Sequence, residues 1–138
     1  MSRERYPVLW IGQVAVVTLP VEIDVTNADA IREELLAVLN QGAVLLVADM
    51  GKTDFCDSSG VSALVRVFRH AATSATALRL VVTTPAVLRV LSITGVDRLV
   101  DVYPSVAASL AGPNGPNGLA DQAWPDGATA KADTDGGA

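Results

Sequence analysis

Between positions 54 and 60 the chain reads Asp54-Phe55-Cys56-Asp57-Ser58-Ser59-Gly60, which gathers two carboxylates, a thiol and two adjacent hydroxyls. Ser58 could act as a nucleophile, accept a phosphoryl group, or simply be a polar residue tolerated where a helix begins. A serine nucleophile needs a base, and His70 is the sole histidine. Twelve residues along one helix correspond to about 18 Å of rise, far beyond the ~3 Å reach of a nucleophile–base hydrogen bond. Neither a G-x-S-x-G elbow nor a Walker A loop surrounds Ser58. No catalytic residue is therefore assigned, the chain is read as a non-enzyme, and His70 is read as a polar residue near a helix end. Cys56 is the only cysteine, which excludes an internal disulfide and a zinc site built on several thiolates. No metal and no cofactor is expected, and Cys56 is expected to pack as a small hydrophobe.

As a phosphate acceptor, Ser58 needs only to be exposed at the right place. The first amides of a helix lack internal partners and carry the positive end of its dipole, so they would meet an added phosphate. Esterification adds roughly -1.5 to -2 charge and three acceptor oxygens, enough to repel a partner packed on that surface. The plainer alternative is that Asp57 caps the helix, the serines occupy its first turn and Gly60 allows close packing. Local chemistry by itself favours this alternative.

The flanking pattern supplies the elements that would hold the heptapeptide. Val8 to Ile11 and Val14 to Leu19 are apolar, β-branched runs around Gly12-Gln13, which predicts an antiparallel hairpin. Pro20 closes it. Asp24 and Asn27 then offer acceptors for the first amides of a helix in which Ile31, Leu35, Val38 and Leu39 recur at helical spacing, with Gly42 to end it. Ala43 to Ala48 reads as a strand covered on both faces. The heptapeptide follows as a polar turn, and a second helix is predicted from about Ser58 to Ala72, with Val61, Leu64, Val65 and Phe68 inward and Ser62, Arg66 and Arg69 elsewhere. Leu78 to Thr83 is a further strand. Pro85 opens a third helix whose inner face is expected to carry Val87, Leu88, Leu91 and Ser92, stopped by Gly95. Leu99 to Tyr103 is the last strand, and Ser105 caps a short helix to about Leu110. The expected class is α/β: a mixed sheet of about five strands with an N-terminal hairpin and about four helices, in the order ββαβαβαβα.

Charge divides unevenly along this pattern. Residues 1–112 hold nine basic and eleven acidic side chains, whereas residues 113–138 hold Lys131 against Asp121, Asp126, Asp133 and Asp135. A nearly neutral body without a basic run argues against nucleic-acid contact. No stretch is long and apolar enough for an anchor, so no membrane contact and a cytoplasmic location are expected. Residues 113–138 are rich in Gly, Pro, Asn and Asp, with Leu119 and Trp124 as their only large apolar side chains, and are expected to be a disordered tail.

Over about residues 5 to 112 the chain resembles the STAS family, and within it the single-domain bacterial anti-sigma-factor antagonists. The resemblance rests on Pro20-Val-Glu-Ile-Asp24 with Asn27, on Asp54-Phe-Cys-Asp-Ser-Ser-Gly60, and on Thr94-Gly-Val-Asp-Arg-Leu99, in that order. It implies a STAS domain over 1–112 followed by the 113–138 tail. It further implies that Ser58 is phosphorylated by an anti-sigma factor that is also a Ser/Thr kinase, and that a Ser/Thr phosphatase reverses this. The unphosphorylated form would bind the anti-sigma factor and free the sigma factor. Asp24, Asn27, Asp57, Ser59, Gly60 and Ser62 would form or shape the partner-binding face. A STAS subunit that docks constitutively in a transport or stress-signalling assembly, without phosphorylation, is the alternative. Where relatives often carry an apolar residue such as Met, this chain has Cys56.

Overall fold

A computed structural model of the protein describes residues 6–112, so the expected disordered tail at 113–138 lies outside the described residues. Strands β1 (Val8–Ile11) and β2 (Val14–Thr18) form the predicted antiparallel hairpin, with Val8 opposite Val17 and Ile11 opposite Val14. Gly12 makes the turn possible at φ +61°, a left-handed conformation that side chains with a Cβ resist. The chain continues through β3 (Glu22–Ile23), α1 (Ala28–Asn40), β4 (Leu45–Met50), β5 (Phe55–Cys56) and α2 (Ser58–Thr73). It ends with β6 (Ala77–Val82), α3 (Pro85–Thr94), a 3-10 turn (Val96–Arg98), β7 (Asp101–Tyr103) and α4 (Val106–Leu110).

Five strands form the main sheet in the order β1-β2-β4-β6-β7, parallel except at the hairpin. This is the expected mixed α/β architecture with four helices. The apolar run of β4 lies at its centre because both its faces are covered: Leu46, Ala48 and Met50 join the larger core, Leu45 and Val47 the smaller. Alternation across a strand sends successive side chains to opposite faces. The larger core receives Ile31, Leu35, Val38 and Leu39 from α1, Val61, Leu64 and Val67 from α2, and Val87 and Leu91 from α3. On the opposite face, α4 is the only helix that packs among the described residues, through Val106 and Leu110. There Arg79 of β6 is almost wholly buried, donates from Nη1 to the carbonyl of Ser109 at 2.5 Å, and lies 5.6 Å over the Tyr103 ring.

Several expectations need correction. The two-residue strands β3 and β5 pair in parallel as a separate small sheet, where a loop and a polar turn were expected. On α2 the inward stripe is centred on Val67, with Ala63 and Ala71 beside it, and Val65 and Phe68 are only partly buried at its margin. Small residues let the helix approach the sheet closely, which rotates the larger Phe68 to the edge. On α3 only Val87 and Leu91 are buried. Leu88 and Ser92 are exposed, since the helix turns Val87 and Leu91 into the core with Val90 at their margin. The last strand begins at Asp101 instead of Leu99, because the amides of Leu99 and Val100 both bond to the Val96 carbonyl and prolong the turn after α3.

Candidate functional site

The small β3–β5 sheet determines where Ser58 sits. Glu22 pairs with Phe55 and Ile23 with Cys56, while the amides of Asp54 and Asp57 donate to the carbonyls of Val21 and Ile23. Below this sheet the buried Thr53 hydroxyl donates to the Pro20 carbonyl at 2.7 Å. These bonds fasten the loop before α1 to the loop before α2, so Asp24 and Asp57 stand just past paired strand ends. Neither pairing has a periodic sequence signal, because each strand is two residues long.

At the start of α2, Asp57 has extended backbone angles, and its Oδ1 accepts from the amides of Ser59 at 2.9 Å and Gly60 at 3.2 Å. This is an N-cap arrangement. Of the first three amides of α2, only that of Ser58 has no partner among the described residues. The expected row of free donors is thus already occupied by a carboxylate. Ser58 itself is exposed, and its hydroxyl makes no hydrogen bond among the described residues. It is a free hydroxyl on the first residue of a sixteen-residue helix.

Gly60 is buried, so it shapes the loop instead of presenting surface. A Cβ there would lie 2.6 Å from Cys56 Sγ and 2.7 Å from Ile23 Cγ2, so the helix start can rest on β3 and β5 only because this residue lacks a side chain. Cys56 is buried beneath it, and desolvation, with the Asp57 charge second, pushes its thiol up to about 11. A thiol kept neutral in this way packs as an apolar group and is a poor nucleophile.

Asp24 and Asn27 do not cap α1. Asp24 Oδ1 accepts from the Thr26 hydroxyl at 2.5 Å and from the Thr26 amide at 2.9 Å. Those two bonds hold its carboxyl below the usual carboxylate range. Asn27 turns back, accepting from the Asp24 amide and donating to the Glu22 carbonyl at 2.8 Å. Short polar side chains readily stabilise such turns. Their effect is to display Val25, which is 74% exposed.

A groove of about 260 Å³ runs between α1 and α2, and its lining includes Val25, Asp29, Arg32, Ser59, Ser62 and Arg66. The structure therefore brings Ser59 and Ser62 together beside the tip of the Asp24–Asn27 turn. Sequence reasoning missed two exposed apolar residues near the site: Val25, which lines the groove, and Phe55 of β5, two residues before Asp57 and 49% exposed. Their signal is a large apolar residue inside an otherwise polar loop. His70 lies in the last turn of α2, at the far end from Ser58. Among the described residues no group of His, Cys, Asp and Glu could hold a metal ion, and no helix is long and apolar enough to cross a membrane.

No curated protein matches the sequence significantly. Among solved structures, the chain is similar to an anti-sigma factor antagonist from Mycobacterium paratuberculosis, at 26% identity and a TM-score of 0.71, over 78% of this chain and 91% of that one. An anti-sigma-factor antagonist (STAS) domain protein from Planctomyces limnophilus superposes with a TM-score of 0.67 at 24% identity, over 77% and 95% of the two chains. The Bacillus anti-sigma factor antagonist SpoIIAA also shares the fold. Its unphosphorylated form gives a TM-score of 0.65 at 21% identity, over 76% of this chain and 93% of that one. Its phosphorylated form gives 0.59 at 20%, over 76% and 96%. The STAS domain model matches residues 7–109, which takes in every strand and helix described above except the last residue of α4, and the chain belongs to the STAS domain family.

Proposed function

We propose that this protein is an anti-sigma-factor antagonist whose partner binding is switched off by phosphorylation of Ser58. One observation carries the reading: on a STAS fold, Ser58 presents an exposed hydroxyl, free of hydrogen bonds among the described residues, at the first position of α2. In the unphosphorylated form, the surface formed by Val25, Phe55, Ser59 and Ser62 around Asp24 and Asp57 binds an anti-sigma factor that is also a Ser/Thr kinase, which frees the sigma factor. That kinase transfers the γ-phosphoryl group of ATP to Ser58 Oγ, the hydroxyl proton departs, and ADP is released. A Ser/Thr phosphatase hydrolyses the ester and restores binding. The protein works in the cytoplasm.

The capped helix start explains why esterification would act on the partner more than on the fold. Asp57 already holds the amides of Ser59 and Gly60, so a phosphate on Ser58 has the Ser58 amide and the helix dipole to receive it. Its added charge of roughly -1.5 to -2 joins that of Asp57 at one exposed spot. A partner packed there would have to desolvate both charges, and it dissociates.

Incubation with the cognate kinase and ATP, followed by mapping of phosphate by mass spectrometry, tests the assignment. Label on Ser58 that disappears in Ser58→Ala supports it. Stable binding of the kinase without any label at Ser58 would instead indicate a constitutive docking subunit.

A further inference from the structure

β1 lies at one end of the main sheet: β2 pairs with one side of its backbone, and no strand pairs with the other among the described residues. Antiparallel partners alternate between residues that exchange hydrogen bonds and residues that do not. The Thr18 amide donates to the Pro7 carbonyl at 2.9 Å, which sets the phase, so Leu9 with Val16 and Ile11 with Val14 are the bonded pairs. The amides and carbonyls of Val8 and Trp10 therefore point away from β2, and they have no partner among the described residues.

Side chains follow the same alternation. Leu9 and Ile11 stand opposite Val16 and Val14 and share the face of the smaller core, whereas Val8 and Trp10 share that of the larger. Leu9 is 60% exposed, Ile11 42% and Trp10 37%. Edge strands are ordinarily guarded by charged side chains, internal prolines or bulges. β1 has none of these, and residues 6–21 contain no charged side chain, on a chain whose net charge is -5. The hairpin is thus a surface on which two acidic copies can meet without facing like charges.

We infer that two copies of this protein associate through β1, antiparallel about a twofold axis normal to the sheet. The register that uses every outward group pairs Val8 of each copy with Trp10 of the other and closes both bonds of each pair. It sets Leu9 against the second copy's Leu9 on the axis, at the close spacing of a non-bonded pair. Such an axis preserves the faces, so α1, α2 and α3 of both copies lie on one side of a single continuous sheet. The pairing does not depend on phosphorylation of Ser58. A stable interface buries about 1,200–2,000 Å² in total. Leu9, Trp10 and Ile11 offer on the order of 250 Å² of exposed apolar surface per copy, at roughly 150–250 Å² for a whole large side chain. The dimer is accordingly weak, forming in the range of about 0.1–1 mM.

The test uses the full chain. Sedimentation equilibrium between about 0.01 and about 1 mM should show a monomer giving way to a dimer. Over the same range, amide hydrogen exchange at Val8 and Trp10 should slow, while that at Leu9 and Ile11, already bonded to β2, stays constant. Leu9→Lys places two like charges face to face and should weaken association at least about tenfold. Circular dichroism checks that this substitution at an exposed position leaves the fold intact. Because both copies are acidic, added salt should strengthen the pairing. Three results would overturn the inference: a monomer at every concentration, a dimer indifferent to Leu9→Lys, or Val8 and Trp10 amides equally slow at every concentration. The last would mean that the edge is covered within one chain. Slowing that requires an added protein would likewise overturn it and assign the edge to a foreign strand.

Discussion

Gly60→Ala offers a sharp check on how the start of α2 is seated. On an ordinary helix this change stabilises, because Ala exceeds Gly in helix propensity by about 1 kcal/mol. Here the new methyl would stand 2.6 Å from Cys56 Sγ and 2.7 Å from Ile23 Cγ2, both in the closed core. Ordinary carbon contacts lie near 3.5–4.0 Å, so backbone or side chains must shift by about 1 Å, and overpacking of this kind costs about 1–3 kcal/mol. Set against the propensity gain, the expected outcome runs from no change to a net loss of about 2 kcal/mol. For a domain of this size each kcal/mol lowers the melting temperature by roughly 4–8 °C. Urea unfolding monitored by circular dichroism should show an equal or lower midpoint at unchanged slope. Cys56→Ala removes one of the two clashing atoms, so the double variant should be more stable than the sum of the single losses, by about 0.5 kcal/mol or more. A rise in stability for Gly60→Ala alone, or strictly additive losses, would refute the close approach of α2 to β3 and β5.

Asp57→Ala should lower stability by about 0.5–2 kcal/mol in the same assay, because the Ser59 and Gly60 amides lose their acceptor, whereas Asp57→Asn should retain most of it. Cys56 should resist a thiol reagent in the native protein and react promptly in urea. Its folded value of about 11 lies above the ordinary 9.0, so the stability it contributes is complete below about pH 9 and lost as pH rises toward 11, as thermal melts across that range should show. Ser58→Ala should leave unfolding within about 0.5 kcal/mol of wild type, since the side chain is exposed and makes no hydrogen bond among the described residues. Ser58→Asp should weaken capture of the anti-sigma factor in a pull-down, and tighter capture would count against charge repulsion.

What could be read ahead of the structure was set by period and punctuation. The hairpin around Gly12, the doubly covered β4 and the third helix between Pro85 and Gly95 each carry a strong local signal, and each is present, β4 lying two residues later than the expected 43–48. The β3–β5 pairing was invisible for a physical reason: its two-residue strands are specified by long-range bonds to Val21 and Ile23, with no periodicity of their own. The α2 stripe was misjudged because Ala63 and Ala71 add little to a hydrophobic pattern yet decide which way the helix rolls. At the site, the capping role of Asp57 followed from residue type alone. Those of Asp24 and Asn27 did not, since both side chains bond within their own turn instead of to α1. Val25 and Phe55 became visible only once that turn placed them outside.

Arg79 has a consequence for the back of the sheet, where its guanidinium grips the carbonyl of Ser109 above the Tyr103 ring. Burial pushes the Tyr103 phenol above its usual range, so the ring beneath that guanidinium stays neutral into alkali. The aromatic half of the clasp that secures the last helix is accordingly deaf to a moderate rise in pH.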